Sequence, residues 1–260
     1  MLFRSSTSFS AFVTLVDYFP NIRTLRLGPV RLEPDEGPIP PLSRPLQGEI
    51  HVRFMTPNSL EFFTRLAKLD LEYEGLVIEH CVVGEETKFL ESVLQLSPNT
   101  VKYLRLISAL RREHPYYALA SLRALTQSPH VLVGTPVMIG HLRQLRELEV
   151  MVHWTGSPHE SLLSSIASTE LRKIILTVGR VDDRSVFQQG VGVWASIDKQ
   201  LCELVARLGR AGHRHTLEVE VQLTEVGDGL SEHDFTGVFP EFREKGVTTI
   251  IDAVPDPSFF

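Results

Sequence analysis

Cysteine is nearly absent from this chain. Only Cys81 and Cys202 occur among 260 residues, far apart and outside any CxxC or Cys/His spacing, so neither a disulfide framework nor a zinc site has a basis. A reducing compartment, cytoplasmic or nuclear, is the expected setting. Long apolar runs are missing as well. Nothing approaches the roughly 20 residues that a membrane-spanning helix needs, and Met1 to Thr7 lacks the apolar stretch of a secretory signal. One arginine among serines, with no acid before Asp17, resembles the start of an organelle presequence; Phe9, Phe12, Val13, Val16 and Phe19 better describe a helix packed on a core. An excess of positive charge is the third absence. With 26 Lys and Arg against 32 Asp and Glu, the net charge is −6 and the pI about 5.9, which disfavours nucleic acid as a partner.

Signatures of catalysis are also missing. There is no GxSxG elbow and no phosphate-binding GxxxxGK[ST] loop, and Ser231-Glu-His233-Asp234 is too contiguous for its side chains to converge as a triad. Gly190-Val-Gly192-Val-Trp-Ala195 imitates a dinucleotide fingerprint, but the polar Asp182 to Gln189 precedes it where a strand is required. His213 and His215 would share one face of a strand, yet no third ligand has suitable spacing, and a solvent-facing turn explains them better. His80 and Cys81, as neighbours, would point to opposite faces of a strand. Glu85-Glu86 and Glu218/Glu220 read as solvated carboxylates. Arg105, Arg111, Arg112, Arg143 and Arg146 make a basic middle, but acids interleave with it and no aromatic platform accompanies it. No catalytic residue, cofactor or metal is therefore expected.

What the chain does contain is a recurring short pattern: apolar, two residues, apolar, one residue, apolar. Five copies are clear, ending at Leu27, Ile78, Leu106, Val150 and Leu176; three weaker ones end at Val52, Val219 and Asp252. Of the seven intervals between successive ends, those of 25, 26, 28 and 26 residues fall in the leucine-rich-repeat range of about 20–29. Two longer intervals leave room for a degenerate unit each, and Val131-Leu132-Val133 is a candidate strand in the first. Each strand is too short to bury its own apolar face, so stacked neighbours would make the core.

Helical spacing fills the gaps. Leu60, Phe63 and Leu66 form one stripe; Phe89, Leu90, Val93 and Leu94 form another. Ser157-Pro158-His159-Glu160 reads as a capping box leading into Leu162, Leu163 and Ile166. The longest helix is predicted from about Ser196 to Leu208, ended by Gly209. Phe235, Phe239 and Phe242 predict a last helix that Pro240 must break or kink. Residues 33–45, with five prolines, form a loop. The expected architecture is α/β: one irregular leucine-rich-repeat solenoid over residues 1–252, with a parallel sheet and flanking helices, and a tail at 253–260.

Alternation along each strand sends the residue between the last two apolar positions to the sheet's open face. Those residues are Arg26, His51, Val77, Arg105, Glu149, Ile175, Glu218 and Ile251. Arg26, His51, Arg105, Glu149 and Glu218 are the candidate partner-binding residues, basic in the first half and acidic in the second. They would make a bipolar groove, unless the charges merely keep an exposed sheet soluble.

Tyr18-Phe-Pro-Asn-Ile-Arg-Thr-Leu-Arg-Leu27, Pro40 to Leu46, Leu171 to Leu176 and Asp234 to Asp252 together resemble fungal F-box-like proteins with a degenerate C-terminal leucine-rich-repeat domain. The resemblance implies the substrate-binding portion of a ubiquitin-ligase receptor. An F-box needs about 40 residues ahead of the repeats, and here the first repeat strand begins at Ile22, so a Skp1-type adaptor is expected only if an F-box stands upstream. The expected function is a non-catalytic protein–protein interaction scaffold with an unidentified protein ligand and no nucleic-acid or membrane partner. A hydrolase with an unidentified site and a decayed copy without function are the alternatives.

Overall fold

The computed structural model describes residues 2–3, 8–19, 21–27, 40–53, 57–69, 72–79, 92–107, 138–152, 159–178, 191–212, 215–223 and 238–252. Strands form where aliphatic side chains alternate with polar ones: β1 (Leu2–Phe3), β2 (Thr24–Leu27), β3 (Glu49–Arg53), β4 (Gly75–Glu79), β5 (Tyr103–Ile107), β6 (Glu147–Val152), β7 (Lys173–Val178), β8 (Glu218–Leu223) and β9 (Val247–Asp252). All nine make one sheet, parallel throughout and ordered as in the chain. The fold is thus α/β with a single parallel sheet, as the sequence predicts at that level. β1 is additional to the copies read from the sequence. Val131 to Val133 lie outside the described residues.

Register shows how the pattern works. Leu25, Ile50, Leu76, Leu104, Leu148, Ile174 and Val219 are successive partners across seven strands, and Leu27, Val52, Ile78, Leu106, Val150, Leu176 and Val221 form the next such row. Both rows are buried in one continuous apolar core. The weak copy ending at Val52 is therefore a full member. The last two copies are shifted: the sheet aligns Val221 and Ile250, two residues beyond and two before the predicted ends at Val219 and Asp252. Just ahead of the strands the ladder continues, with Glu74 N–H donating to Gly48 O, Lys102 N–H to Glu74 O, Arg146 N–H to Lys102 O and Arg172 N–H to Arg146 O at 2.7–2.8 Å.

Helices α1 (Phe9–Tyr18), α2 (Pro57–Leu66), α3 (His159–Ser165) and α4 (Val191–Arg210) bury their apolar stripes in that same core. Ser8 starts α1 by accepting from the Ala11 N–H at 3.1 Å. Phe9 and Phe12 then meet Phe62 of α2 edge-on, with ring centroids 5.6 and 4.9 Å away. Val93 and Leu94, in the helical residues 92–96, are fully buried. Phe89, Leu90, Ser157 and Pro158 lie outside the described residues.

Three expectations need correction. Phe19 is not on the core: the helix ends at Tyr18, and Phe19 is 45% exposed. The longest helix begins at Val191 and runs through Gly209 to Arg210. The residue in the left-handed region that ends it is Gly212, at φ 90°, because a glycine inside a helix costs only about 1 kcal/mol whereas the reversal requires positive φ. The predicted last helix is reduced to a 3-10 turn at Phe242–Glu244 after Pro240, with Phe239 and Phe242 buried; Phe235 lies outside the described residues. One further glycine is imposed by space. Gly48 sits at φ 92° before β3, and a Cβ there would stand 2.2 Å from the Arg23 carbonyl oxygen.

Candidate functional site

The side of the sheet turned away from the apolar core carries the candidate residues. Strand alternation puts them there, and the parallel register arranges them in rows. Arg26, His51, Val77, Arg105, Glu149 and Ile175 are successive partners on β2 to β7, so four of the five predicted binding residues fall in one line. Glu218 does not. Its partner is Lys173, one row over, and Glu220 takes the place beside Ile175; Thr249, not Ile251, follows on β9. The sequence Glu218-Val-Glu220-Val-Gln222 fits the repeat pattern equally well in two frames, and only pairing with β7 decides between them. Val77 and Ile175 are 2% and 5% exposed, yet neither belongs to the main core, because both point to this second face.

Charges on the face are largely paired with one another. Glu149, 5% exposed, is the hub: Arg105 Nε lies 2.8 Å from its Oε1, Thr177 Oγ1 donates to Oε1 at 3.2 Å, and the Tyr103 hydroxyl donates to Oε2 at 3.0 Å. Next to it Lys173 Nζ lies 2.6 Å from Glu220 Oε2, while Gln222 Nε2 donates to Glu220 Oε1, also at 2.6 Å. On β3, His51 Nε2 lies 3.1 Å from Glu49 Oε2. Glu49 leans over β4 because Gly75 has no side chain; a Cβ at Gly75 would stand 2.6 Å from Glu49 Cγ. These arrangements bring the predicted basic and acidic halves into contact at Arg105 and Glu149, so much of the bipolar charge is spent inside the sheet.

Protonation states follow from burial and pairing. Burial raises the Tyr103 phenol far above its ordinary value, and the Glu149 charge adds to that, so the hydroxyl remains a donor. Burial also raises Glu147, an effect that Lys173 tempers and Glu149, Glu220 and Glu218 reinforce. For Glu220, burial pushes upward, but the hydrogen bonds from Gln222 and Lys173 outweigh it and the carboxyl ends below its usual range. Lys173 is raised, chiefly by its hydrogen bond to Glu220.

Reading one residue per strand missed Tyr103, Lys173, Thr177 and Gln222. The signal was present, since residues two positions away along a strand share its face. Among the described residues no group of three His, Cys, Asp and Glu is placed to hold a metal, and no helix is long and apolar enough to cross a membrane. Gly192 lies within α4 rather than in a phosphate-cradling loop. Cys202 is buried against the core and unpaired, its thiol raised by burial. His80, Cys81, His213, Arg111, Arg112 and the Ser231 to Asp234 segment lie outside the described residues. Scanned against protein families, curated proteins and solved structures, the chain matches none.

Proposed function

We propose that this chain is a non-catalytic scaffold, an irregular leucine-rich-repeat solenoid that holds another protein against the sheet face turned away from its helices. The observation that carries the reading is the shared register of that face. Successive units present one side chain each, from Arg26 to Glu220, in a continuous row across seven strands. Stacked short units make extended binding surfaces of this kind, and a row built from many strands suits a macromolecule better than a small substrate. The resemblance to F-box-like repeat proteins supports the same role and adds a specific form of it, the capture of a protein for ubiquitin transfer. The buried, unpaired Cys202 accords with a reducing compartment, cytoplasmic or nuclear.

Site-directed photocrosslinking in cells tests the reading. A photoreactive residue is placed at Thr24, His51 or Lys173 on the face, and separately at Lys199 or Glu203 on the outer side of α4. Crosslinks to one discrete protein from the face positions alone, abolished when the chain without a photoreactive residue is co-expressed in excess, are the expected result. Crosslinks confined to α4 positions would overturn it.

A further inference from the structure

Three charged groups on the sheet face have no ion pair or hydrogen bond among the described residues: Arg26 on β2, Glu147 on β6 and Glu218 on β8. Of the other charged side chains described there, Arg105 is paired with Glu149 and Lys173 with Glu220, while Glu49 shares a hydrogen bond with His51 that offsets its charge only when the imidazole is protonated. Among the described side chains of the face, the charges left without any partner are therefore one cation toward the β2 end and two carboxylates toward the β8 end. Neighbouring strands lie about 4.8 Å apart. Arg26 and Glu147, four strands apart, are thus separated by about 19 Å across the sheet, and Glu147 and Glu218, two strands apart, by about 10 Å.

An extended polyproline-II segment rises about 3.1 Å per residue with three residues per turn. Side chains at positions 1, 7 and 10 of such a segment share one side, at separations of about 19 and 9 Å. Resting on the scaffold reading above, we infer that the partner docks through an extended segment of polypeptide laid across the strands, with an acidic side chain against Arg26 and two basic side chains, three residues apart, against Glu147 and Glu218. Internal pairing makes the inference narrower than charge complementarity along the whole row, because Arg105 and Glu149 neutralise each other and, among the described side chains, three unpartnered charges remain to read the partner.

The test uses the full chain and fluorescent twelve-residue peptides. One carries Glu at position 1 and Lys at positions 7 and 10; a second is its charge mirror, with Lys at 1 and Glu at 7 and 10; both are made in both chain directions. Fluorescence anisotropy is expected to show the first charge pattern binding about tenfold tighter than its mirror in at least one direction, a preference that shrinks with added salt. The variant R26E/E147K/E218K is expected to reverse the preference. If that variant fails to fold, as judged by its circular dichroism, R26Q/E147Q/E218Q replaces it, with the preference expected to vanish. Equal binding of both patterns, binding of neither, or a preference that survives the substitutions would overturn the inference. Face-directed crosslinking together with indifferent peptides would remove this inference and leave the scaffold reading intact; crosslinking confined to α4 would remove the scaffold reading itself.

Discussion

Glu149 shows what one side chain can hold on this sheet. A carboxylate at 5% exposure is tolerable only because both oxygens are filled, by Arg105, Thr177 and Tyr103. Replacing it with glutamine keeps the shape and an acceptor but removes the counter-charge for Arg105. Glu149→Gln is expected to cost about 1–3 kcal/mol in urea unfolding, part of which Arg105→Met should restore in the double variant. Glu147 behaves in the opposite sense. Its carboxyl is raised in the folded chain, so the folded state binds its proton more tightly than the unfolded state does, and ionisation opposes folding. The groups facing it are Lys173, which favours the charge, and Glu149, Glu218 and Glu220, which oppose it. Glu147→Gln is therefore expected to raise the thermal midpoint at pH 7, with the gain disappearing as pH falls through the raised pKa toward the ordinary glutamate range. A midpoint gain that did not change with pH would contradict the assignment.

At the scale of elements, the junction between α4 and the last strand depends on a single acid. Asp198, 3% exposed, accepts from the Glu241 N–H at 3.1 Å and from the Phe242 N–H at 2.9 Å, holding the 3-10 turn that leads into β9. Asp198→Ala would leave two N–H groups without their acceptor. It is expected to cost about 1–3 kcal/mol and to speed hydrogen exchange at residues 241 and 242 well before it affects β5. The strand copies were legible because a parallel sheet needs one buried face per strand, and the copies ending at Leu27, Ile78, Leu106, Val150 and Leu176 all took their places in register. The candidate row was legible as far as Ile175 for the same reason. It failed at Glu218, where alternation continues through Gln222 and no residue marks the frame. Helix ends were less legible, since Gly209 carries no information about φ until the chain's path is known. The partnering of Glu149 was not legible at all, because Tyr103 and Thr177 lie 46 and 28 residues away and meet it only through the register.

For the whole molecule, strict chain order means that every interior strand hydrogen-bonds only to the strand before it and the strand after it. Stability should then be shared most fully in the middle and least at the two ends. Amide exchange is expected to be slowest in β4 to β7 and to quicken toward β1 and β9, whose outer edges have no neighbouring strand among the described residues. Uniform protection across all nine strands would instead indicate one indivisible folding unit. Leu104→Ala, at a fully buried central position, should cost about 2–5 kcal/mol and lower protection on both sides of it. The same serial arrangement bears on how such a chain changes over generations. A duplicated or lost strand segment needs no rethreading of the rest, since the strands on either side of the event can close up and pair, so the number of positions along the face can grow or shrink by copying while the chemistry of each remaining position is inherited unchanged.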